Sequence, residues 1–188
     1  MLNRRVFGII AAAAPLAACV DPAMSRNPAT GAINPPPEAP LAAATGSPAG
    51  LMLQAAQGGT FLLQTAQLGQ GRARSGPLRE FCGFELAEQE GLMQAMSLLT
   101  GGNPPRPGLL PPQQQVLSGL QSASAGPNFD RLLVDAQLNG HRDALGVFNN
   151  IAANTGEAPG MRALAIAAIG HIREHIAVLE RGLVRGRV

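Results

Sequence analysis

The stretch FDRLLVDAQLNGHRDAL, residues 129–145, has apolar side chains at helical spacing and three polar side chains on one line. Asp130, Gln137 and His141 are separated by seven and then four residues. Seven residues are about two turns of an α-helix and four are about one, so the three side chains share one edge. That edge lies about 80° from the centre of the apolar stripe. The position predicts a structural polar seam between helices, and it also leaves His141 as a candidate ligand.

Four long segments and one short one show helical periodicity around this stretch. The long segments are residues 49–74, 77–100, 128–154 and 158–184. QQQVLSGLQSAS, residues 113–124, predicts a short helix. Pro77 suits a helix start, and the run GGNPP at 101–105 ends the second segment. The sequence predicts an all-α antiparallel four-helix bundle with a long loop and a short helix between helices 2 and 3.

Residues 1–18 have the pattern of a bacterial export signal. Two arginines precede an apolar run that is too short to span a membrane, and small residues follow it. The sequence LAAC at 16–19 resembles a lipobox, which implies cleavage before Cys19, its lipidation and anchoring by acyl chains. The chain is therefore expected in the cell envelope, lipid-anchored on the periplasmic face. By resemblance to Gram-negative lipoproteins, Val20 favours the outer membrane.

Two readings of the export route remain open. NRRVF at residues 3–7 resembles the twin-arginine signal, whose substrates cross the membrane folded, but a plain basic region before the apolar run explains it as well. Residues 19–48 are rich in Pro, Ala and Gly, and predict a tether between the lipid and the bundle. The predicted bundle covers residues 49–184, and residues 185–188 form a tail.

The composition excludes several classes of function. Aromatic residues are 3% of the chain, with no Trp and no Tyr, which argues against stacking platforms for bases or sugars. The 14 basic residues face 12 acidic ones without a basic patch, so nucleic acid is not an expected partner. The predicted partner is the membrane, through the anchor. With Cys19 lipidated, Cys82 has no partner in the chain and is expected to pack as a small buried side chain.

Four stretches resemble successive helices of the bacterial domain-of-unknown-function family 4142. They are AAQGGTFLLQTAQLGQGRA (55–73), LREFCGFELAEQEGL (78–92), FDRLLVDAQLNGHRDALGVF (129–148) and MRALAIAAIGHIREHIAVL (161–179). The resemblance implies an exported, ferritin-like four-helix bundle, often a lipoprotein, and it implies no established activity. The chain departs from the family pattern on the second helix. The family carries Asp-His there, whereas the matching positions here are Glu88 and Gln89.

Four titratable side chains are candidates for a metal site. On a helical wheel, Glu85 and Glu88 fall inside the apolar stripe of the second helix, and His175 falls inside that of the fourth. Burying a carboxylate without a partner costs several kcal/mol, so these groups need one. A metal ion held by Glu85, Glu88, His141 and His175 is one solution, with iron, manganese or zinc as the candidates. Water at an open end of the bundle is another.

An internal ion-pair network with Arg79, Arg131 or Arg142 is the third solution. A ferritin-like di-iron site needs Glu-x-x-His on two helices, and the sequence contains no such motif. It also lacks the Gly-x-Ser-x-Gly of a serine hydrolase. The glycines at 58–59 and 69–71 lie inside a helical pattern and predict close helix packing. The sequence therefore favours a non-enzymatic envelope lipoprotein with a structural, interaction-based or stress-related role. The alternative is a metal-binding or redox-protective protein.

Overall fold

A computed structural model describes residues 46–102 and 107–182, and within these ranges the chain forms five α-helices and no strand. The helices are α1 Pro48–Arg72, α2 Gly76–Leu99, α3 Pro111–Ser122, α4 Pro127–Ala153 and α5 Pro159–Glu180. The all-α prediction is confirmed, including the short helix in the middle connection. The predicted signal peptide, Cys19, nearly all of the tether and the tail at 185–188 lie outside the described residues.

Each of the five helices carries a proline in its first turn. Proline suits this place because the N–H that it lacks would have no partner there, and because its fixed φ is close to the helical value. Ser47 and Ser75 also cap α1 and α2, since their hydroxyl oxygens accept the N–H of Gly50 and Leu78. The helix starts are therefore specified by local sequence.

The four long helices form a bundle in the ring order α2, α1, α4, α5. Gly69 near the end of α1 lies against Leu133 near the start of α4, whereas Gly140 further along α4 lies against Leu62 of α1. The two helices are therefore antiparallel. The short α1–α2 and α4–α5 turns make those pairs antiparallel as well. The predicted antiparallel bundle is confirmed, and α3 packs on α1 and α4.

The backbones of α1 and α4 approach closely because glycines remove side chains where the helices touch. A Cβ added at Gly69 would collide with Sγ of Cys82 and lie 2.5 Å from Cδ2 of Leu133. A Cβ at Gly140 would lie 2.7 Å from Cδ2 of Leu62. These separations are shorter than van der Waals contact, so a larger residue needs a shift of packed side chains. The predicted role in close packing is confirmed for Gly69 and is wrong for Gly58 and Gly71, where an added Cβ would meet nothing within 4 Å.

Two polar side chains of α4 bind the α1 side of the bundle. The buried Gln137 donates its Nε2–H groups to the carbonyl of Leu62 at 3.1 Å and to the hydroxyl of Thr65 at 2.8 Å. Asp130 accepts two backbone N–H groups of the α1–α2 turn, each at 2.9 Å. Both side chains of the predicted seam thus hold α4 against α1. His141, the third, faces elsewhere.

Arg72 at the end of α1 connects α3 to the bundle. Its guanidinium donates hydrogen bonds to the carbonyls of Leu120, Gln121 and Ala123 at the end of α3. The last carbonyls of a helix have no partner within that helix, so the arginine supplies one. The same guanidinium lies 4.9 Å from the centre of the Phe129 ring, a cation–π contact with α4. These contacts fix the position of the middle connection.

The apolar stripe of α2 is buried only in part. Leu78 and Met96 are in the core, but Phe84 and Leu99 are 60% and 47% exposed. The apolar stripe of α2, to which Phe84 and Leu99 belong by helical spacing, therefore does not face the interior along its whole length, because α2 and α5 touch over fewer residues than the other neighbours in the ring do. Within the described ranges, none of the helices has both the length and the hydropathy that a bilayer span requires.

Candidate metal centre

Three buried side chains from three helices meet inside the bundle, and we call them the triad. Glu85 of α2, His141 of α4 and His175 of α5 are 0%, 1% and 9% exposed. Oε2 of Glu85 lies 3.1 Å from Nε2 of His141 and 2.9 Å from Nδ1 of His175. The two nitrogens are 3.0 Å apart. The three atoms therefore form a nearly equilateral triangle.

His141 lies at the centre of the buried face of α4. Residues at alternating spacings of three and four are buried along this helix. They are Val134, Gln137, His141, Ala144, Phe148 and Ile151. The sequence-based position at the edge of the core is therefore wrong for His141. A helical wheel weighted by hydropathy places the centre of the buried face too far from buried polar residues. Two of these six residues, Gln137 and His141, are polar.

The imidazole rings of the triad each have a partner for their outer nitrogen. Nδ1 of His141 lies 2.7 Å from the backbone oxygen of Gln137. Nε2 of His175 lies 3.1 Å from Oε2 of Glu88. The ring of Phe81 packs edge-on against His175, with 5.2 Å between ring centres. These contacts fix the rotation of both rings and direct their other nitrogens at the triangle.

Glu88 does not point into the triangle, although the sequence predicts it as a ligand on a buried stripe. Its side chain is 41% exposed, and its carboxylate meets the outer nitrogen of His175 instead. Glu88 lies one turn after the exposed Phe84, on the row of α2 that α5 leaves uncovered. The structure therefore places Glu88 as an outer partner of a triad histidine.

Gln89 is an outer partner that the sequence analysis did not assign. The buried amide donates Nε2–H to Oε1 of Glu85 at 3.0 Å, which leaves Oε2 directed at the two histidines. Its own Oε1 is buried without a hydrogen-bond partner, and a Cβ at Gly59 would lie 2.9 Å from it. The spacing of four residues from Glu85 on one helix is the signal that predicts such a contact.

The charges of the triad stabilise one another. Burial alone would raise the pKa of Glu85, but the hydrogen bonds and positive charges of His141 and His175 outweigh it and hold the pKa below its usual range. Burial alone would lower the pKa of His175, but the hydrogen bond to Glu85 and the charges of Glu85 and Glu88 raise it. Without a metal, the cluster therefore holds an anionic carboxylate beside a histidine that readily takes a proton.

The chain matches one known protein family over most of its length. Residues 34–181 match the family described as a domain of unknown function, DUF4142. The chain belongs to this family. No curated protein and no solved structure matches it. The match confirms the family resemblance seen in the four helices. The DUF4142 assignment carries no activity, so the function has to be argued from the geometry.

Hydrogen bonds cannot run along all three sides of the triangle in this DUF4142 domain while Glu85 is ionised. A carbonyl only accepts, so Nδ1 of His141 carries a hydrogen. If His141 is neutral, its Nε2 is an acceptor and faces the acceptor Oε2 of Glu85. If His141 is protonated, Nε2–H donates to Glu85. Nδ1 of His175 then has two possible states. If it carries a hydrogen, its N–H faces the N–H of His141, and if it does not, its lone pair faces Oε2 of Glu85. One side always joins two like groups.

The arginine network considered from the sequence does not form. Arg79 donates to backbone carbonyls of the α1–α2 turn. Arg131 pairs with Asp135 along α4, and Arg142 pairs with Glu180 of α5. All three arginines therefore have partners away from the triad, and the partner of the buried Glu85 is the pair of histidines.

Two cavities flank His175. One has a volume of about 390 Å³, and three carboxylates line it, those of Glu80, Glu88 and Glu174. The other, of about 240 Å³, lies between α2 and α5, and all three triad residues line it. We call them the acidic cavity and the cleft. The DUF4142 domain therefore has space on both sides of His175, although the triad itself is buried.

Proposed function

We propose that this DUF4142 protein binds one divalent transition-metal ion through Glu85, His141 and His175. The carrying observation is the triangle of Oε2, Nε2 and Nδ1, whose sides cannot all be hydrogen bonds while Glu85 is ionised. A cation resolves the conflict, because all three atoms then direct lone pairs at one positive charge. The proposal takes up the metal-binding alternative rather than a purely structural role.

The outer contacts support the same assignment. Histidine ligands of metals usually donate their second N–H to a carboxylate or a backbone carbonyl. Glu88 supplies the carboxylate for His175, and Gln137 supplies the backbone carbonyl for His141. Gln89 holds the remaining oxygen of Glu85. Each ligand is thereby oriented by a contact that is present without the ion.

The triangle has the spacing of neighbouring ligands of an octahedral ion, and its donor set suits iron(II), manganese(II) or zinc(II). Its sides are 2.9, 3.0 and 3.1 Å. Neighbouring ligands of an octahedral ion with bonds of about 2.1 Å are about 3.0 Å apart, whereas those of a tetrahedral ion are about 3.4 Å apart. Two histidines and one carboxylate on one octahedral face are typical of non-haem iron(II). A di-iron site does not fit, because this face has one carboxylate.

The acidic cavity supports access for a cation. Its carboxylates, Glu80, Glu88 and Glu174, lie on two helices, and His175 connects the cavity to the triad. Negative charges around an opening raise the local concentration of cations. A bound metal ion needs an entry path as well as ligands, and this cavity supplies one.

Metal analysis of protein purified without an affinity tag and reconstituted with iron(II), manganese(II) or zinc(II) tests the proposal. We expect about one ion per chain, in keeping with a single three-ligand site. Glu85→Gln and His175→Gln should lose it. Glu90→Gln is the matched control, because Glu90 is exposed on the same helix as Glu85 and lines neither cavity. Metal-free wild-type protein, or a stoichiometry that Glu85→Gln leaves unchanged, would contradict the proposal.

We also propose that the domain is held in the cell envelope by a lipid at Cys19, on the periplasmic face of the outer membrane. The support is the sequence of residues 1–19, with its export signal and lipobox. Cys19→Ser should move the protein from the membrane fraction to the soluble fraction. Unchanged membrane association of this variant would refute the anchor.

A further inference from the structure

We propose that the cleft between α2 and α5 admits a small neutral diatomic molecule, such as nitric oxide or dioxygen, to the metal ion. This inference rests on the proposed metal site. It adds a binding site for an external ligand beside the ion and specifies the chemical class of that ligand. Three protein ligands on one face leave the opposite positions of an octahedral ion for such a molecule.

The cleft is the side on which those positions open. Glu85, His141 and His175 all line it, whereas His175 alone of the three lines the acidic cavity. An ion in contact with all three ligand atoms therefore lies at the wall of the cleft. A molecule in the cleft reaches the ion without displacing a protein ligand.

The walls of the cleft select a small and uncharged molecule. Small residues of both helices keep it open, namely Gly91 and Ala95 of α2 and Ala167 and Ala168 of α5. Leu92, Leu164 and Ile172 are the larger apolar residues of the wall, and outside the triad Glu88, Gln89 and His171 add polar groups to it. Its volume of about 240 Å³ is below the range of about 300–1,000 Å³ typical of sites for drug-sized ligands. The carboxylates of Glu85 and Glu88 place negative charge in the wall, and this charge disfavours an anion.

The test uses the full chain loaded with iron(II) under anaerobic conditions, with the iron content measured in each sample. Nitric oxide is the neutral probe, and its complex with ferrous iron is followed by electron paramagnetic resonance. Azide, a small anion, is the charged probe. We expect nitric oxide to bind in proportion to the iron, and azide at least about tenfold more weakly than a neutral ligand of its size.

Ala95→Leu is designed to fill the cleft, and Ala87→Leu is the matched control. Ala87 lies on the same helix, two turns earlier, at an exposed position. We expect Ala95→Leu to retain iron and to weaken or slow nitric oxide binding by about tenfold, because the added side chain conflicts with the ligand. Ala87→Leu should behave as wild type.

The outcomes separate the two proposals. Iron in the wild-type protein without a nitric oxide complex would overturn the cleft proposal and leave the metal site intact. Equal binding in wild type and Ala95→Leu, or equal affinity for azide and nitric oxide, would also overturn it. Protein that takes up no iron would overturn both. If Ala95→Leu does not fold, Ala167→Leu fills the cleft from an exposed position of α5 and decides.

Discussion

Between α1 and α4 the backbones come close at Gly69 and Gly140, and the buried Gln137 adds hydrogen bonds across the contact. Between α2 and α5 the contact is short, and a cleft of about 240 Å³ separates the helices. At the first interface the amide N–H groups of Gln137 have acceptors within the pair of helices, although its buried Oε1 has no hydrogen-bond partner. The second holds Glu85 and His175 in the buried cluster to which we propose that a cation binds.

The difference shows how one small bundle combines a rigid interface with an accessible one. Close packing on the α1–α4 side holds His141 at a fixed place, because α4 also carries Gln137 one turn earlier. The looser α2–α5 side then supplies the other two ligands and the space beside them. Stability and binding are therefore expected to respond to different substitutions.

A substitution at the α1–α4 contact is expected to have a large effect on stability. Gly69→Ala should lower the free energy of unfolding by about 2 kcal/mol, because the new methyl group meets the side chains of Cys82 and Leu133. Gly58→Ala on the same helix is the matched control. A Cβ there meets nothing within 4 Å, so Gly58→Ala should raise the free energy of unfolding by about 0.5–1 kcal/mol. Urea unfolding measures both. Equal effects would mean that the close contact is not required.

Removal of the metal should destabilise the protein by a comparable amount. An ion at a concentration of about 100 times its Kd adds about 2.7 kcal/mol to the free energy of unfolding if it binds the folded state alone. Thermal unfolding with and without a chelator measures the difference. The Glu85→Gln variant should show no such dependence. If chelation lowers the stability of this variant equally, the ion acts somewhere other than the triad.

Replacement of an outer partner should weaken the metal site without destroying it. Glu88→Gln removes the charge that accepts the Nε2–H of His175, and should raise the Kd for the metal about tenfold. Glu90→Gln, an exposed change on the same helix, is the control for charge. Competition with a coloured chelator measures both affinities. An equal loss of metal affinity in both variants would mean that Glu88 acts only through its negative charge.

The smallest effect concerns Glu157 in the turn between α4 and α5, a buried carboxyl whose Oε1 has no hydrogen-bond partner. Burial raises its pKa, so the folded state disfavours the charged form and stability falls as the pH rises through that pKa. Glu157→Gln should therefore add about 0.5 kcal/mol at pH 7 and nothing near pH 3. Denaturant unfolding at both pH values measures this, and a loss of stability at pH 7 would contradict it.

Glu85 and Glu157 show how neighbouring groups decide the charge of a buried carboxyl. Both carboxyls are buried, but the two histidines beside Glu85 lower its pKa, whereas burial alone raises that of Glu157. A buried carboxylate with partners suits a binding site. A buried carboxylate without them only reduces stability at neutral pH.

Much of the fold could be predicted from the sequence because its signals are local. The helical periodicity and the stop after Leu99 require no knowledge of neighbouring helices. The same holds for Glu85 and His175, which are polar residues inside otherwise apolar stripes. A wheel for a single helix detects such positions directly.

The remainder of the site depends on how the helices are arranged around one another. Glu88 lies inside the apolar stripe of α2 but is exposed, because α5 does not cover that row. His141 lies outside the apolar stripe of α4 but is buried. Gln137 beside it is also polar and buried, so hydropathy does not mark this part of the buried face. Neither result can be obtained from one helix alone. The triangle itself is a property of three helices.

Cys82 gives the bundle an internal reporter of its own opening. The thiol is fully buried against Gly69, and burial, with the charges of Glu85 and Asp130, raises its pKa to about 12. Thiol reagents attack the thiolate, so labelling has to wait until the helices separate. The rate of labelling of Cys82 therefore measures how often the packed side of the bundle opens, with no substitution in the chain.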